Sequence, residues 1–99
     1  MRGETDPVAE MLDVLDISSG DARTTEDIFT GISHPMPTGR IFGGQVLAQA
    51  IIAADRTTGD DRVPHSMHGY FLRPGDATRG VTLSVDRIHD GRSFSTRRT

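Results

Sequence analysis

The ten residues from Gln45 to Ala54 constrain the fold of this chain more than any other part of its sequence. Their letters are QVLAQAIIAA, so only Gln45 and Gln49 are polar. These glutamines are four positions apart and share one face of a helix, while the rest of the circumference is apolar and mostly small. A helix that is apolar nearly all round is a buried helix, so other elements are predicted to surround this one. It is predicted to begin just after Gly43-Gly44.

Extended segments are predicted on the C-terminal side of this helix. Residues 65–72 (HSMHGYFL) are predicted to form a strand, and the Pro-Gly pair at 74–75 suits a type II turn. Residues 81–86 alternate between apolar and polar types, which predicts a strand with one buried face. The Asp-Gly pair at 90–91 indicates a hairpin, and residues 93–99 begin another extended run. One buried helix followed by antiparallel strands predicts an α+β domain.

The N-terminal part of the chain is less regular. Residues 1–6 are predicted to be a flexible tail, and the domain is predicted to span residues 7–99. Pro7 opens an amphipathic helix, since proline suits the first helical turn. Its apolar positions, spaced i, i+3, i+4 and i+7, are Val8, Met11, Leu12 and Leu15. Residues 24–30 are predicted to form an edge strand, and the prolines and glycine of residues 33–40 predict a loop.

The size of the chain limits how stable it can be alone. It has 99 residues, and 34% of them are hydrophobic. A domain of this size buries only about 60–65% of the surface that its unfolded chain exposes. The sheet is also expected to be incomplete at its C-terminal end, which leaves an uncovered strand edge. We therefore expect a homo-oligomer or a further domain to cover part of the structure.

Composition excludes several classes of protein. Eleven basic and 14 acidic residues give a net charge of −3, which argues against nucleic acid as a partner. The chain has no cysteine, so disulfides and thiolate metal sites are excluded. No apolar run approaches the roughly 18 residues that would span a membrane, so no membrane insertion is expected. Acidic residues near the N-terminus do not fit a secretory signal, and a cytoplasmic location is predicted.

Three segments, in this order and spacing, carry a resemblance to a known family. They are FGGQV at residues 42–46, HSMHGYFLRPGD at residues 65–76, and DGRSFSTRR at residues 90–98. Together they resemble the N-terminal hotdog of the bacterial acyl-CoA thioesterase II family, and the resemblance covers roughly residues 8–99. It implies a hotdog fold, in which an antiparallel sheet wraps around a central helix. It also implies hydrolysis of acyl-CoA to a free fatty acid and coenzyme A by the intact protein.

The resemblance also implies where the chemistry lies. Members of that family resemble two hotdogs fused in one chain, and their catalytic Asp, Thr or Ser, and Gln lie in the second. Those positions have no counterpart in these 99 residues, so no catalytic residue is expected here and the chain alone is expected to be inactive. The expected partners are the acyl-CoA substrate and a catalytic second hotdog domain, in the same chain or from another. No cofactor is implied.

The candidate substrate-binding residues are grouped at the start of the predicted helix. The backbone N–H groups of a helix N-terminus lack intrahelical partners and attract negative charge, so they could polarise a thioester carbonyl. Gly43 and Gly44 would let a ligand approach these donors, Gln45 could add a side-chain donor, and Phe42 precedes them. The alternative is that the two glycines only permit tight packing of the helix against the sheet.

His65 is the remaining candidate for substrate binding. It could line an acyl tunnel or carry a proton, or it could be a hydrogen-bonded structural histidine. His65 and His68 have the spacing H-x-x-H, but residues three apart in a strand point to opposite faces, so no metal site is predicted. The arginines at 92, 97 and 98 could bind the phosphates of coenzyme A, or they could be solvated on a strand or paired with an oligomer partner.

The sequence leaves two other functions open and excludes two further classes of protein. A non-catalytic hotdog that binds acyl chains or coenzyme A, or only mediates assembly, is the main alternative. A dehydratase acting on hydroxyacyl thioesters is a weaker one. The chain lacks the G-x-S-x-G sequence of serine hydrolases. It also lacks the glycine-rich loops of nucleotide-binding proteins.

Overall fold

The computed structural model describes residues 6–19 and 27–99 of the chain. Two helices and four strands follow one another along these residues. In chain order they are α1 (Pro7–Leu15), β1 (Ser18–Ser19), β2 (Asp27–Gly31), α2 (Gly43–Asp55), β3 (Val81–Asp90) and β4 (Ser95–Arg98). The strands form one antiparallel sheet in the order β1-β2-β3-β4. Helix α2 packs against β3 on one side and against α1 on another.

Helix α1 forms where the sequence predicts it, but a different face is buried. The carboxylate of Asp6 accepts a hydrogen bond from the Val8 backbone N–H at 3.0 Å, which caps the first turn that Pro7 opens. The predicted apolar face is largely exposed, with Leu12 at 61%. Val14 is the buried residue, at 2%, because its side of the helix faces α2. Most of the predicted tail at residues 1–6 lies outside the described residues.

The core lies where β2 and β3 face α2. The alternation predicted for residues 81–86 is confirmed, since Leu83 and Val85 are buried while Ser84 between them is exposed. The buried core cluster consists of Ile17, Phe29, Ala53, Leu83 and Val85. Strand β2 lies between β1 and β3, so the prediction of an edge strand there is wrong. Residues 24–26 of that predicted strand lie outside the described residues.

The hairpin predicted at Asp90-Gly91 is confirmed. Asp90 pairs with Ser95 across β3 and β4, and the Gly91 N–H donates to the Phe94 carbonyl at 2.7 Å. Four residues therefore separate the two strands. Residues 33–40 form the predicted loop, which ends where Arg40 bridges to Asp76.

Two other predictions are wrong. A type II turn at residues 74–75 would need a positive φ at Gly75, but among the described residues only Gly39 has one. Instead, the Gly75 carbonyl accepts a hydrogen bond from the Ile41 N–H at 2.9 Å. Residues 65–72 are not assigned to a strand, because no other strand among the described residues lies beside them to pair with. No helix of the described residues is long and apolar enough to cross a membrane.

Helix α2 begins within two residues of its predicted start, but its glutamines lie on the buried face. Gln45 is 3% exposed, Gln49 is 0% exposed and Ala53 is buried beside them. The chain accommodates Gln49 with a glycine in β2. A Cβ atom at Gly31 would lie 2.9 Å from Gln49 Nε2 and 2.9 Å from a methyl carbon of Ile17. The prediction that the apolar circumference is buried all round is therefore wrong, since much of it is only half-buried and faces a cleft.

Candidate functional site

An open cleft of about 970 Å³ runs along the outer face of helix α2. Its floor is made by small and aliphatic side chains of this helix. They are Val46, Leu47, Ala50, Ile51 and Ala54. One wall is residues 63–71, here called the covering segment, and the other is the end of the hairpin at residues 93–99. A mostly apolar cleft of this size suits an acyl chain better than a charged ligand.

The covering segment touches both the helix and the hairpin. At Gly69 a Cβ atom would lie 3.1 Å from a methyl of Leu47, so glycine permits the segment to lie close to α2. The imidazole of His65 meets the ring of Phe94 edge-on, with the ring centroids 5.7 Å apart. His65 therefore links the two walls and lies in the lining of the cleft.

The first turn of α2 presents backbone donors between two aromatic rings. Phe42 is the N-cap residue and offers no side-chain cap. Among the described residues, the N–H groups of Gly43 and Gly44 have no acceptor. A Cβ atom would lie 3.2 Å from the Phe71 ring at Gly43 and 2.4 Å from the Phe42 ring at Gly44. The two glycines permit tight packing against the aromatic rings, and their N–H groups have no acceptor. Both interpretations from the sequence, tight packing and access of a ligand to the donors, are therefore compatible with the structure.

Gln45 points away from the cleft, into a buried ladder of side-chain amides. Its Oε1 accepts a hydrogen bond from the His34 N–H at 2.8 Å, and its Nε2 donates to Gln49 Oε1 at 3.1 Å. Gln49 Nε2 donates in turn to the carbonyls of Val14 at 3.0 Å and Ile32 at 2.9 Å. The hydrogen-bonded pair of Gln45 and Gln49 is called the glutamine ladder below. The sequence showed that these side chains share a face, but it did not reveal their acceptors.

The predicted site residues are therefore only partly brought together. His65 lines the cleft, and Phe71, which lies against Gly43, lines it too. Phe42, Gly43 and Gly44 lie at the start of the helix, beside that ring. Gln45 is separated from the cleft because its amide is engaged on the opposite side of α2.

The arginines of the hairpin have different environments. The Arg97 side chain is 5% exposed and binds Thr57 through both its hydroxyl, at 2.6 Å, and its carbonyl, at 3.0 Å. Arg98 is 74% exposed and forms an ion pair with Asp86. Arg62 donates to the carbonyls of Gly91 and Arg92 and so holds the hairpin loop. Arg97 is thus paired within the chain, which neither alternative from the sequence predicted, while Arg98 is largely solvated on its strand, as one alternative predicted.

The described residues contain no group of three histidines and carboxylates that could hold a metal ion. His65 and His68 lie beside different aromatic rings, those of Phe94 and Tyr70. The two imidazoles thus have separate surroundings within the same segment.

Acid is expected to weaken the hairpin through Asp90. The hydrogen bond from Arg97, followed by one from Ser95, lowers the pKa of the Asp90 carboxyl. Because the folded state favours the carboxylate, its stabilisation is present above the unfolded-state pKa of about 3.9 and is lost as pH falls through the lower folded-state pKa. The Asp90→Asn variant should lose less stability than the parent protein below about pH 5. Urea midpoints measured across this pH range test this, and parallel curves for the two proteins would contradict it.

Comparison with known proteins agrees with this arrangement. Residues 32–99 match the family model described as the acyl-CoA thioesterase N-terminal domain. The chain therefore belongs to the acyl-CoA thioesterase family. It is 43% identical over 72 residues to human acyl-coenzyme A thioesterase 8, and 44% identical over 68 residues to acyl-CoA thioesterase 2 of Haemophilus influenzae. These matches cover 73% and 69% of this chain but only 23% and 24% of the relatives.

A solved structure shares the fold. The tesB protein of Mycobacterium avium subsp. paratuberculosis superimposes with a TM-score of 0.77 at 39% identity. The superposition covers 90% of this chain and 34% of that protein. The predicted α+β hotdog fold and the family resemblance are both confirmed. The chain spans about a quarter of the length of the curated relatives that it matches.

Proposed function

We propose that this chain serves as the N-terminal domain of an enzyme that hydrolyses acyl-CoA to a free fatty acid and coenzyme A. The observation that carries the proposal is the apolar cleft along α2, in a chain whose relatives are named acyl-CoA thioesterases. In this proposal the acyl chain lies on the small side chains of α2, and His65 lines its path. The free N–H groups of Gly43 and Gly44 face the polar end of the ligand.

The catalytic residues, in this proposal, come from a second hotdog domain in the same chain or another. The described titratable groups near the cleft support this division. Among the described residues His65 contacts an aromatic ring and forms no ion pair with a carboxylate, and the Asp90 carboxylate is engaged by Arg97. General acid–base catalysis needs such a positioned pair or an activated water. This domain would then supply binding surface and packing.

Thiol release from acyl-CoA tests the proposal. The 99-residue chain should give no appreciable turnover. A chimaera, in which this chain replaces the superimposed region of the mycobacterial tesB protein, should release thiol from at least one acyl-CoA chain length. The tesB protein without that region is the matched control. A folded chimaera that is inactive on every chain length would contradict the proposal. Robust turnover by the chain alone would contradict the assignment of catalysis to another domain.

A second candidate is a non-catalytic module that binds acyl chains or coenzyme A. The observation that favours it is that the described residues show a cleft without a catalytic pair. Binding of a fluorescent fatty acid by the chain, together with an inactive chimaera, would support this candidate.

The homo-oligomer and the cytoplasmic location stay predictions from the sequence. Light scattering of the chimaera and fractionation of the source cells test them.

A further inference from the structure

The covering segment runs alongside α2 in the opposite direction. A Cβ atom at Gly69 would lie 3.1 Å from a methyl of Leu47, and one at Gly43 would lie 3.2 Å from the Phe71 ring. Two residues of the segment therefore accompany four residues of the helix, which rise about 6 Å. An advance of about 3 Å per residue is that of extended chain. The segment and the helix thus stay in step along the cleft.

At this rate the segment reaches the level of Asp55, the last residue of α2, at His65. The four residues from Gly69 to His65 accompany the helix from Leu47 to Asp55, and both His65 and Asp55 line the cleft. There the His65 imidazole meets the Phe94 ring edge-on, with the ring centroids 5.7 Å apart. The two rings come from opposite walls, so the pair spans the cleft at the C-terminal end of the helix.

The loop that carries Phe94 is tied to the chain just before His65. Arg62 donates to the carbonyls of Gly91 at 2.7 Å and Arg92 at 3.1 Å. The Gly91 N–H donates to the Phe94 carbonyl at 2.7 Å, which closes the same loop. Because Arg62 precedes His65 by three residues, its side chain holds the two walls together at this end. Hydrogen bonds therefore fix the separation of the two rings, which does not depend on ring contact alone.

We infer that the His65–Phe94 pair is the stop of the acyl cleft and limits the bound acyl chain to about 14 carbons. This inference rests on the proposed function, in which the thioester lies at the free N–H groups of Gly43 and Gly44. The 13 residues of α2 span about 18 Å from there to Asp55. An extended acyl chain advances about 1.25 Å per carbon, because carbon–carbon bonds of about 1.5 Å alternate at tetrahedral angles. A longer chain meets the two rings.

The same geometry gives His65 a role in specificity rather than in proton transfer. Its imidazole lies about 18 Å from the first turn of α2, too far to exchange a proton with a thioester bound there. The ring acts instead by occupying space at the end of the acyl path. Beyond the pair the cleft continues to Val63, so removal of either ring opens it to longer chains.

Displacement of a fluorescent fatty acid from the 99-residue chain measures the limit directly. Unlabelled acids of about 6 to about 20 carbons should bind about fourfold more tightly per added carbon up to about 14, and no more tightly beyond. His65→Ala and Phe94→Ala each remove an exposed ring. In both variants the affinity for acids of about 18 carbons should rise about tenfold, while that for acids of about 10 carbons stays unchanged. An unchanged limit in both variants would overturn the inference, and so would the absence of binding at every length.

Two matched variants separate the shape of the stop from its chemistry. His65→Phe keeps a ring at this position and should keep the limit at about 14 carbons. Ala50→Leu fills the cleft about 7.5 Å before Asp55 and should lower the limit to about 8 carbons. If His65 acted through its ring nitrogens, His65→Phe would behave as His65→Ala does, and that result would contradict a steric stop.

Thiol release by the chimaera with the mycobacterial tesB protein, carrying the same substitutions, separates the inference from the proposed function. The chain-length profile of kcat/KM should shift in the same direction as the binding limit. A shift of the binding limit without hydrolysis by any chimaera refutes the proposed function alone. Hydrolysis with one profile shared by the parent chimaera and all the variants refutes the stop alone.

Discussion

Replacing Gln49 with leucine is expected to lower the free energy of unfolding by at least about 3 kcal/mol, because three polar groups lose their partner at roughly 1–3 kcal/mol each. The Gln49 side chain is fully buried. Its amide donates to the carbonyls of Val14 and Ile32 and accepts from Gln45 Nε2. Leucine fills a similar volume but offers no donor or acceptor. The loss is therefore one of hydrogen bonds rather than of packing.

Urea unfolding of the parent protein and of matched variants measures this effect. Gln45→Leu interrupts the same ladder at its outer end, and it leaves only the His34 N–H and Gln49 Oε1 without their partner. Its cost should be smaller than that of Gln49→Leu, at least about 2 kcal/mol, because two groups rather than three lose a partner. The double variant should cost less than the sum of the single ones by roughly 1 kcal/mol, since the bond between the two amides is counted twice. A change below about 1 kcal/mol for Gln49→Leu would show that the ladder is not a stabilising network.

The glutamine ladder joins three parts of the chain that are distant in sequence. It connects the end of α1, through the Val14 carbonyl, and the segment after β2, through the Ile32 carbonyl, to one face of α2. The outer amide, that of Gln45, accepts from the His34 N–H within the first turn of the helix. The ladder thus fixes where the free N–H groups of Gly43 and Gly44 lie relative to the sheet.

The parts of the fold that the sequence predicts well depend on local patterns. Residues 81–86 alternate in polarity because one face of β3 packs on α2, and this alternation predicted the buried positions. The Asp-Gly pair at 90–91 predicted the hairpin because its backbone preferences act over a few residues. The start of α2 was predicted within about two residues, because the Gly43-Gly44 pair marks the change from loop to helix, although both glycines belong to the first helical turn.

The parts that were predicted wrongly depend on groups far away in the chain. The burial of Gln49 is possible because carbonyls at residues 14 and 32 point at it, and side-chain polarity patterns carry no information on such carbonyls. Likewise, the composition of residues 65–72 predicted a strand, but strand pairing needs a second strand. Of the predicted site residues, His65 lines the cleft, and its role in binding stays a prediction. The Gln45 side chain points away from the cleft, and the sequence could not reveal this because helical periodicity does not say which face meets the core.

Replacing Arg97 with alanine is expected to lower the free energy of unfolding by about 2–4 kcal/mol, because a buried guanidinium with several acceptors is removed. Its nitrogens donate to the Thr57 hydroxyl and carbonyl, to the carbonyls of His89 and Thr96, and to the Asp90 carboxylate. These bonds connect the turn after α2 to the hairpin. Arg97→Lys should recover only part of the loss, since an ammonium group cannot reproduce the planar fork of a guanidinium.

Arg98→Ala is the matched control, because it removes the adjacent arginine of the same strand. Residues next to each other in a strand point to opposite faces, which explains why Arg97 is buried against Thr57 while Arg98 is exposed beside Asp86. An exposed ion pair contributes little, so the control should cost less than about 1 kcal/mol in the same urea titration. Equal costs for the two alanine variants would contradict the structural role of Arg97. If instead Arg97→Ala left stability unchanged and weakened binding of coenzyme A, the phosphate-binding alternative would be the correct one for this residue.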